Sequence, residues 1–240
     1  FFITAKGNLG FNKNVVVYND EPRRDETYAY AYTSTGYGLG QQWGYKVDWS
    51  SPGKGYWTSD EEIEASGLTY SFGSPQPGDL KYVDLNGDGI IDQRDMAPIG
   101  YTSIPGVTFG FDVNFEYKGF DFSVFLSGVG RYSSIWSGDG IYENVKQGTY
   151  FGYHHNAWTR ERFEQGAEIT YPRLSTGTTS NHVANEFFLQ DRSFIRLRNL
   201  QVGYTLSDKV LERLGVGNLR IFASGQNLFL WDKLKMSHQD

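Results

Sequence analysis

The chain has 240 residues, with 22 Lys and Arg against 28 Asp and Glu, so its formal net charge is −6 and there is no electrostatic reason to expect nucleic acid as a partner. The absence of cysteine excludes disulfides, thiol nucleophiles and thiolate-bound metals. Aromatic residues make up 17% of the chain and there are 29 glycines, a composition that favours β-strands joined by tight turns.

The first predicted element is a strand near residues 1–17, which glycine and asparagine residues interrupt. A long connection, residues 18–106, follows this strand. Within the connection, Ser59 and Glu62 have the spacing of a capping box. This spacing predicts a helix of one or two turns that ends at Gly67.

Residues 84–95 (DLNGDGIIDQRD) have the spacing of a calcium-binding loop, with Gly89 at the sharp turn. The expected ligands are Asp84, Asn86, Asp88, the backbone carbonyl of Ile90, Asp92 and Asp95. Oxygen atoms of these kinds are the ligands that Ca²⁺ prefers. Because no long helices flank the loop, we expect a structural Ca²⁺ ion rather than a sensor site. A turn rich in Asp and Asn that holds no metal is the alternative.

Large aromatic residues occur in the long connections of the chain. They are Trp43, Trp49, Tyr56, Trp57, Trp136 and Trp158. Exposed aromatic rings in loops can stack on sugars or contact a partner protein. The alternative, which we favour, is that these side chains form small loop cores or an interfacial girdle.

The clearest alternation lies in residues 107–117, where odd positions are large and apolar and even positions are small, polar or charged. A period of two predicts a strand with one apolar and one wet face. Lys118-Gly119 has the character of a two-residue turn, and the alternation resumes in residues 120–129. These segments together predict a β-hairpin.

A second long connection, residues 130–190, separates this hairpin from two further predicted strands at 193–205 and 219–231. In the first of these strands the apolar phase changes near Arg198, which predicts a β-bulge or a change of environment. Between the two strands, residues 207–214 have the pattern of a short capped helix.

The connections between the predicted strands differ greatly in length. Short turns at one end and long loops such as 18–106 and 130–190 at the other are typical of an outer-membrane β-barrel. A soluble β-sandwich rarely needs loops of this length. Because the smallest membrane barrels have about eight strands and open edges are not tolerated in lipid, we expect these strands to be part of a larger barrel. The abrupt ends of the chain agree with that expectation.

Four stretches taken together resemble one family. They are residues 77–89 with 99–100, residues 117–125, residues 194–206 and residues 219–228. In this order they are similar to the C-terminal quarter of SusC/RagA-type TonB-linked outer-membrane proteins, over roughly residues 40–240. The resemblance implies an all-β fold, an antiparallel transmembrane β-barrel of 22 strands with long extracellular loops. Residues 1–240 would form the C-terminal part of this barrel.

The resemblance also implies a location in the outer membrane of a Gram-negative bacterium of the Bacteroidota. Members of the family import oligosaccharides or peptides. A SusD-like surface lipoprotein serves as the lid, and TonB acts through an N-terminal region that this chain does not contain. No covalent bond of the substrate changes in such transport, so we expect neither a catalytic residue nor an organic cofactor. The calcium-like loop would stiffen the 18–106 connection on the outer face.

Two other interpretations are weighed against this one. A soluble secreted β-sandwich that binds carbohydrate and is braced by Ca²⁺ also accepts the alternation of residues 107–117, with a second sheet against the apolar face. A barrel-embedded outer-membrane hydrolase is disfavoured, because no G-x-S-x-G nucleophile motif occurs in the chain.

Overall fold

The computed structural model describes residues 1–22, 33–143 and 150–235. The chain divides into two compact units. The first unit comprises residues 1–13, 105–132 and 192–233, and the second comprises the described parts of 14–104, 133–191 and 234–240.

Strands dominate the described residues, and the helices are short. In chain order the strands are β1 (Phe2–Phe11), β2 (Gln42–Tyr45), β3 (Thr69–Tyr70), β4 (Ile90–Ile91), β5 (Met96–Ile99), β6 (Val107–Tyr117), β7 (Phe120–Gly130), β8 (Ser133–Ile135), β9 (Leu189–Thr205) and β10 (Arg220–Lys233). The helices are α1 (Asp60–Ser66), α2 (Arg160–Glu164) and α3 (Asp208–Leu214), with 3-10 turns at Gln93–Asp95 and Gly152–His154. No helix in the described ranges has the length and apolar character needed to cross a bilayer.

The first unit is built on a sheet with the strand order β1-β6-β7-β9-β10. The pairs β1–β6, β6–β7 and β7–β9 are antiparallel. The turn between β6 and β7 consists of Lys118 and Gly119, with φ of 47° and 87°. Positive φ at both central residues matches the right-handed twist of the flanking strands, so these two residues close the hairpin without splaying it.

The strand register gives this sheet two different faces. One row across the apolar face runs through Ala5, Val113, Val124 and Leu200. On the opposite face Lys6 lies beside Asp112, and Asn114 lies beside Ser123. Within this unit the apolar face leaves large side chains such as Phe111 exposed. The apolar and wet faces predicted for residues 107–117 are therefore present in the fold.

A β-bulge lies at Arg198 on β9, where the prediction placed the change of phase. Phe125 on β7 pairs with Asn199, but Leu126 pairs with Leu197, so Arg198 is the extra residue. Its side-chain Nε donates to Ser127 Oγ at 3.1 Å. Because one residue is skipped, Leu197 and Leu200 lie on the same face although they are three positions apart. The bulge thus keeps the apolar face continuous across the phase change.

Some strand ends differ from the prediction. β1 ends at Phe11, although a strand was predicted near residues 1–17. Phe11 pairs with Val107, the first residue of β6, so β6 has no further residue for β1 to pair with. At the other end of the chain, β9 begins at Leu189 rather than near residue 193, because its first residues pair with β8.

The second unit has two hydrophobic clusters. The buried residues of the first are Tyr45, Val47, Tyr56, Trp57, Tyr70, Leu80, Tyr82, Ile91 and Trp158. Those of the second are Tyr153, Ala157, Tyr171 and Phe188. Helix α1 packs beside the first cluster through Ile63. As predicted, it begins after the N-cap Ser59, which accepts from the Glu62 N–H, and ends at Gly67 with φ of 66°.

We expect Phe111→Arg to block membrane assembly of the complete protein, because Phe111 lies on the face predicted to meet lipid. An Arg at the bilayer midplane costs a barrel about 2–4 kcal/mol. Heat-modifiable migration in gel electrophoresis and surface yield measure the assembly.

Glu116→Arg is the matched control for this variant. It places the same residue on the same strand, but on the polar face, where Glu116 is exposed, so it should assemble normally. Normal migration and yield of Phe111→Arg would contradict a lipid-facing position.

Candidate functional site

The calcium-like loop, residues 84–95, is a series of turns in which side chains bond to the backbone of the loop itself. The carboxylate of Asp84 accepts from the N–H groups of Gly87 at 2.7 Å and Gly89 at 2.8 Å. These glycines have φ of 75° and 81°, in the left-handed region that suits glycine. After the turns, Ile91 is fully buried in the first hydrophobic cluster and anchors the loop.

Arg94 lies within the loop and neutralises part of its charge. Its Nη1 is 3.1 Å from Asp88 Oδ2, and its Nε is 3.5 Å from Asp92 Oδ2. The other oxygen of Asp88 accepts from the Ile90 N–H at 2.9 Å. A positive charge of the protein therefore already faces two of the predicted calcium ligands.

Asp95, at the last ligand position, points into the protein. It is fully buried and accepts from the N–H groups of Leu85 at 2.8 Å and Asp92 at 2.9 Å. Burial raises the pKa of the Asp95 carboxyl above its usual range. In this arrangement Asp95 closes the loop by bonding its two ends together.

The oxygen donors of the loop are of the kind that Ca²⁺ prefers, but they do not converge on one point. The loop contains four Asp and one Arg, so its formal charge is 1 − 4 = −3. Among the residues that the structure describes, no group of three or more acidic or histidine side chains is placed to hold a metal ion. Binding would require the carboxylates to converge and Arg94 to leave Asp88.

Three of the six predicted contact aromatics belong to the core. Trp57, Tyr56 and Trp158 are only 0%, 6% and 7% exposed. The Trp57 indole N–H donates to the Tyr70 hydroxyl at 3.1 Å, and Lys81 Nζ lies 4.5 Å from the centre of the Trp57 ring. This burial favours the loop-core alternative for Trp57 and Trp158, and their contact with a substrate or partner stays a prediction. Both rings pack against other side chains because the surrounding turns fold over them.

The other three aromatics differ in exposure. Trp43 is half-buried, with its ring edge against Tyr37 at 4.8 Å between centroids. Trp136 is half-buried against the second hydrophobic cluster. Trp49 is the most exposed of the six, at 48%, and with Tyr56 it lines a cavity of about 510 Å³.

A buried acidic residue that the sequence analysis did not single out organises the second unit. Asp79 is 0% exposed. Its Oδ1 lies 2.9 Å from Arg173 Nε and accepts from Asn181 Nδ2 at 2.9 Å. Asn181 in turn accepts from the Leu80 N–H at 2.8 Å. Burial raises the pKa of the Asp79 carboxyl, and the Arg173 charge opposes that rise.

A second buried network lies beside the second hydrophobic cluster. The carboxylate of Glu143, 1% exposed, accepts from the Tyr171 hydroxyl at 2.7 Å and lies 2.9 Å from His182 Nε2. The His182 ring stacks on Tyr142 at 4.6 Å between centroids. Tyr171 and His182 lie 28 and 39 positions from Glu143, so no local pattern predicts the cluster.

Comparison with known proteins places the chain among receptors of one kind. No protein-family model matches it. Three curated relatives are TonB-dependent receptors of Formosa agariphila, namely P26 (30% identical over 194 residues), P3 (29% over 161) and P39 (30% over 162). The alignments cover 76%, 65% and 64% of this chain but only 18%, 15% and 15% of the relatives. The chain thus spans less than a fifth of the length of the curated relatives that it matches.

The fold is similar to that of solved transporter structures. A chain in the structure of the RagAB peptide transporter matches with a TM-score of 0.62 at 18% identity, over 97% of this chain and 24% of that chain. Structures of the RagAB peptide importer in the closed-closed and open-open states match with TM-scores of 0.57 and 0.56. The predicted all-β, antiparallel fold of a transmembrane barrel portion is confirmed.

We expect Arg173→Met to destabilise the second unit, because it leaves Asp79 buried without its cation. Breaking a buried ion pair costs about 3 kcal/mol. Because the pKa of Asp79 is raised in the folded protein, the unfolded chain releases this proton more readily. The folding stability of the unit therefore falls as the pH rises. The loss should therefore be larger at pH 8 than at pH 5. Hydrogen exchange of residues 76–82 in the complete receptor measures it.

The double variant Asp79→Asn with Arg173→Met is the control. A neutral amide at position 79 removes the buried charge, so part of the lost protection should return and the pH dependence should disappear. Equal protection in the wild type and in Arg173→Met at both pH values would show that the ion pair does not stabilise this unit.

Proposed function

The chain belongs to the SusC/RagA-like TonB-dependent receptors, and we propose that the complete receptor imports oligosaccharides or peptides across the outer membrane. The strands of the first unit would form part of the barrel wall. The apolar face with Phe111 would meet lipid, and the polar face with Asp112 and Asn114 would face the lumen. The relatives are named as receptors and the structural neighbours as a transporter, so the chain is not part of an enzyme.

The observation that carries this proposal is the unequal length of the connections in an antiparallel sheet. Two residues join β6 to β7, and residues 206–219 join β9 to β10. By contrast, residues 12–106 join β1 to β6 and residues 131–188 separate β7 from β9. In an antiparallel meander such links alternate between the two ends of the strands, which is the arrangement of short periplasmic turns and long external loops.

An ion pair on the polar face supports the same assignment. Arg220 at the start of β10 reaches across β9 to Asp121 on β7, with Nη2 2.6 Å from Asp121 Oδ2. Gly203 lies between them, and a side chain there would collide with both groups. Charged pairs of this kind suit a water-filled lumen and would be costly against lipid.

A lipoprotein lid and TonB are the partners that the proposal requires. The structural neighbours are named as the RagAB peptide transporter. We propose that the complete receptor works with a SusD-like surface lipoprotein at the long connections, and that TonB acts on a region outside this chain. Import is then gated passage, in which the substrate is bound and released without covalent change.

The soluble β-sandwich is not favoured by the fold. A sandwich needs a second sheet to cover the apolar face. In the described part of the first unit there is one sheet, and three apolar residues on β10, Ile221, Phe229 and Trp231, are more than half exposed. The similarity to the RagAB structures covers 97% of the chain and supports a barrel portion instead.

Deleting the gene for the complete receptor should abolish uptake of fluorescently labelled oligosaccharides or of labelled peptides by the source bacterium. A protonophore should abolish the same uptake in wild-type cells, because TonB draws its energy from the proton gradient. Complementation with the intact gene is the control. Unchanged uptake of both substrate classes after deletion would contradict the proposal.

Calcium binding by residues 84–95 stays a prediction, supported by the formal charge of −3 and the oxygen donors of the loop. Arg94 would compete with the ion for Asp88 and Asp92. We therefore expect Arg94→Gln to tighten binding about tenfold and Asp88→Asn to weaken it about tenfold, each a change of about 1.4 kcal/mol. Terbium luminescence of the complete receptor, displaced by Ca²⁺, measures both.

Asp60→Asn, which removes an exposed carboxylate outside the loop, is the matched control and should change nothing. Identical terbium titrations of the wild type, Arg94→Gln and Asp88→Asn would show that residues 84–95 form a turn without metal.

A further inference from the structure

The second unit contains a cavity of about 510 Å³ that combines aromatic walls with charged side chains. Its aromatic lining residues are Trp49, Tyr56, Phe163 and Phe187, and its charged ones are Lys54, Glu168 and Lys235. The volume lies in the range of small-molecule sites, which are concave, largely apolar and carry a few polar groups. The cavity therefore has the size and the chemistry of a ligand subsite.

Trp49 is held so that part of its ring remains open to solvent. A Cβ built on Gly55 would lie 2.8 and 2.9 Å from ring atoms Cε3 and Cζ3 of Trp49, so the indole lies directly on the glycine backbone. Gly55 has φ of 90°, which other residues rarely adopt. The neighbouring Tyr56 and Trp57 are buried and anchor the turn. The result is a positioned aromatic surface that is still 48% exposed.

Two lysines bring positive charge to this aromatic surface. Lys54 and Lys235 are exposed and line the same cavity. Within the described ranges neither lysine side chain takes part in an ion pair. Among the lining residues that the structure describes, Glu168 is the one acidic side chain, so their formal charge is 2 − 1 = +1. An anionic group is the natural partner for the two ammonium groups.

An adjoining cavity of about 340 Å³ has a more acidic lining than the first cavity. Trp49 and Lys235 line this second cavity as well, but Glu186 and Asp191 line it in place of Lys54. Glu186 accepts from the Val47 N–H at 3.1 Å and is thus held in place. The more acidic second cavity would repel an anion, so the anionic group of a ligand belongs in the first cavity beside Lys54.

The lining favours a sugar over a peptide. Peptides are commonly recognised by adding a strand to an exposed sheet edge. The lining residues that the structure describes for the first cavity lie in turns, in helix α2 and in segments that follow it. They provide no unpaired strand for such an addition. A flat indole beside cationic side chains instead suits the apolar face of a pyranose ring that bears an anionic substituent.

We propose that the first cavity is a subsite for an acidic sugar unit, a pyranose with a carboxylate or sulfate group, within an oligosaccharide. The ring stacks on Trp49, and its anionic group lies beside Lys54 and Lys235. This inference rests on the proposed import function and narrows its substrate class. It concerns binding by the second unit and can be measured without transport.

The test is isothermal titration of the complete detergent-solubilised receptor with four probes. These are tri-galacturonic acid, a sulfated galactose trisaccharide, neutral galactotriose and a neutral tripeptide. At least one acidic trisaccharide should bind about tenfold more tightly than galactotriose, and this preference should shrink at high salt, because exposed charges are screened. Equal or absent binding of all three sugars, or tighter binding of the tripeptide, would overturn the proposal.

Variants locate the binding. Trp49→Ala should weaken binding of the acidic trisaccharide about tenfold, the loss typical of a central aromatic contact. Lys54→Asn should remove the preference for the acidic over the neutral sugar, and Asn tolerates the φ of 50° at this position. Lys46→Gln, an exposed lysine outside the cavity, is the matched control and should bind as the wild type does.

The outcomes separate the subsite from the transport function. Unchanged acidic-sugar binding in both Trp49→Ala and Lys54→Asn would overturn the subsite. Import of oligosaccharides by the cells would then still stand as a separate result. Unchanged uptake of both substrate classes in the deletion experiment would overturn the import function even if the purified receptor bound acidic sugars at Trp49.

Discussion

The second unit depends on a carboxylate that has no contact with water. Asp79 is acceptable in that position because Arg173 and Asn181, which lie 94 and 102 positions later in the chain, surround it. A buried charge without such partners is strongly destabilising. The two long connections must therefore meet in one arrangement. The same arrangement holds the turn in which Trp49 lies on Gly55, because Gly55 accepts from the Lys81 N–H and the Trp57 N–H donates to the Asp79 carbonyl.

In the first unit the governing constraint is the separation of two faces. One row of apolar residues and one row of polar residues run across the same strands, so a register slip of one residue would exchange them. The bulge at Arg198 shifts the strand pairing by one residue and so restores the alternation after the phase changes. Gly203 plays a comparable part on the polar face, where its missing side chain lets Arg220 reach Asp121.

Local signals in the sequence predicted several features at residue level. The hairpin turn at Lys118-Gly119, the helix capped by Ser59 and ending at Gly67, and the bulge at Arg198 are all present. Each depends on residues that are close in the chain, or on the period of one strand, so its cause is visible in the residues themselves. The resemblance to SusC/RagA-type proteins rests on such strand and turn patterns, and the relatives support it.

The roles of individual side chains in the long connections could be assigned only from the folded structure. Trp49 and Trp57 occur eight positions apart in the same glycine-rich segment, yet one is 48% exposed and the other fully buried. The ion pair of Asp79 with Arg173 and the contact of Glu143 with His182 join residues 94 and 39 positions apart. Alternation and turn chemistry act over a few residues, and they were enough to predict the class of fold, while the family was suggested by the resemblance of four stretches and shown by the relatives. Burial and charge pairing act between distant segments, so which aromatic ring faces a ligand and which carboxylate meets a cation were settled only when those segments came together.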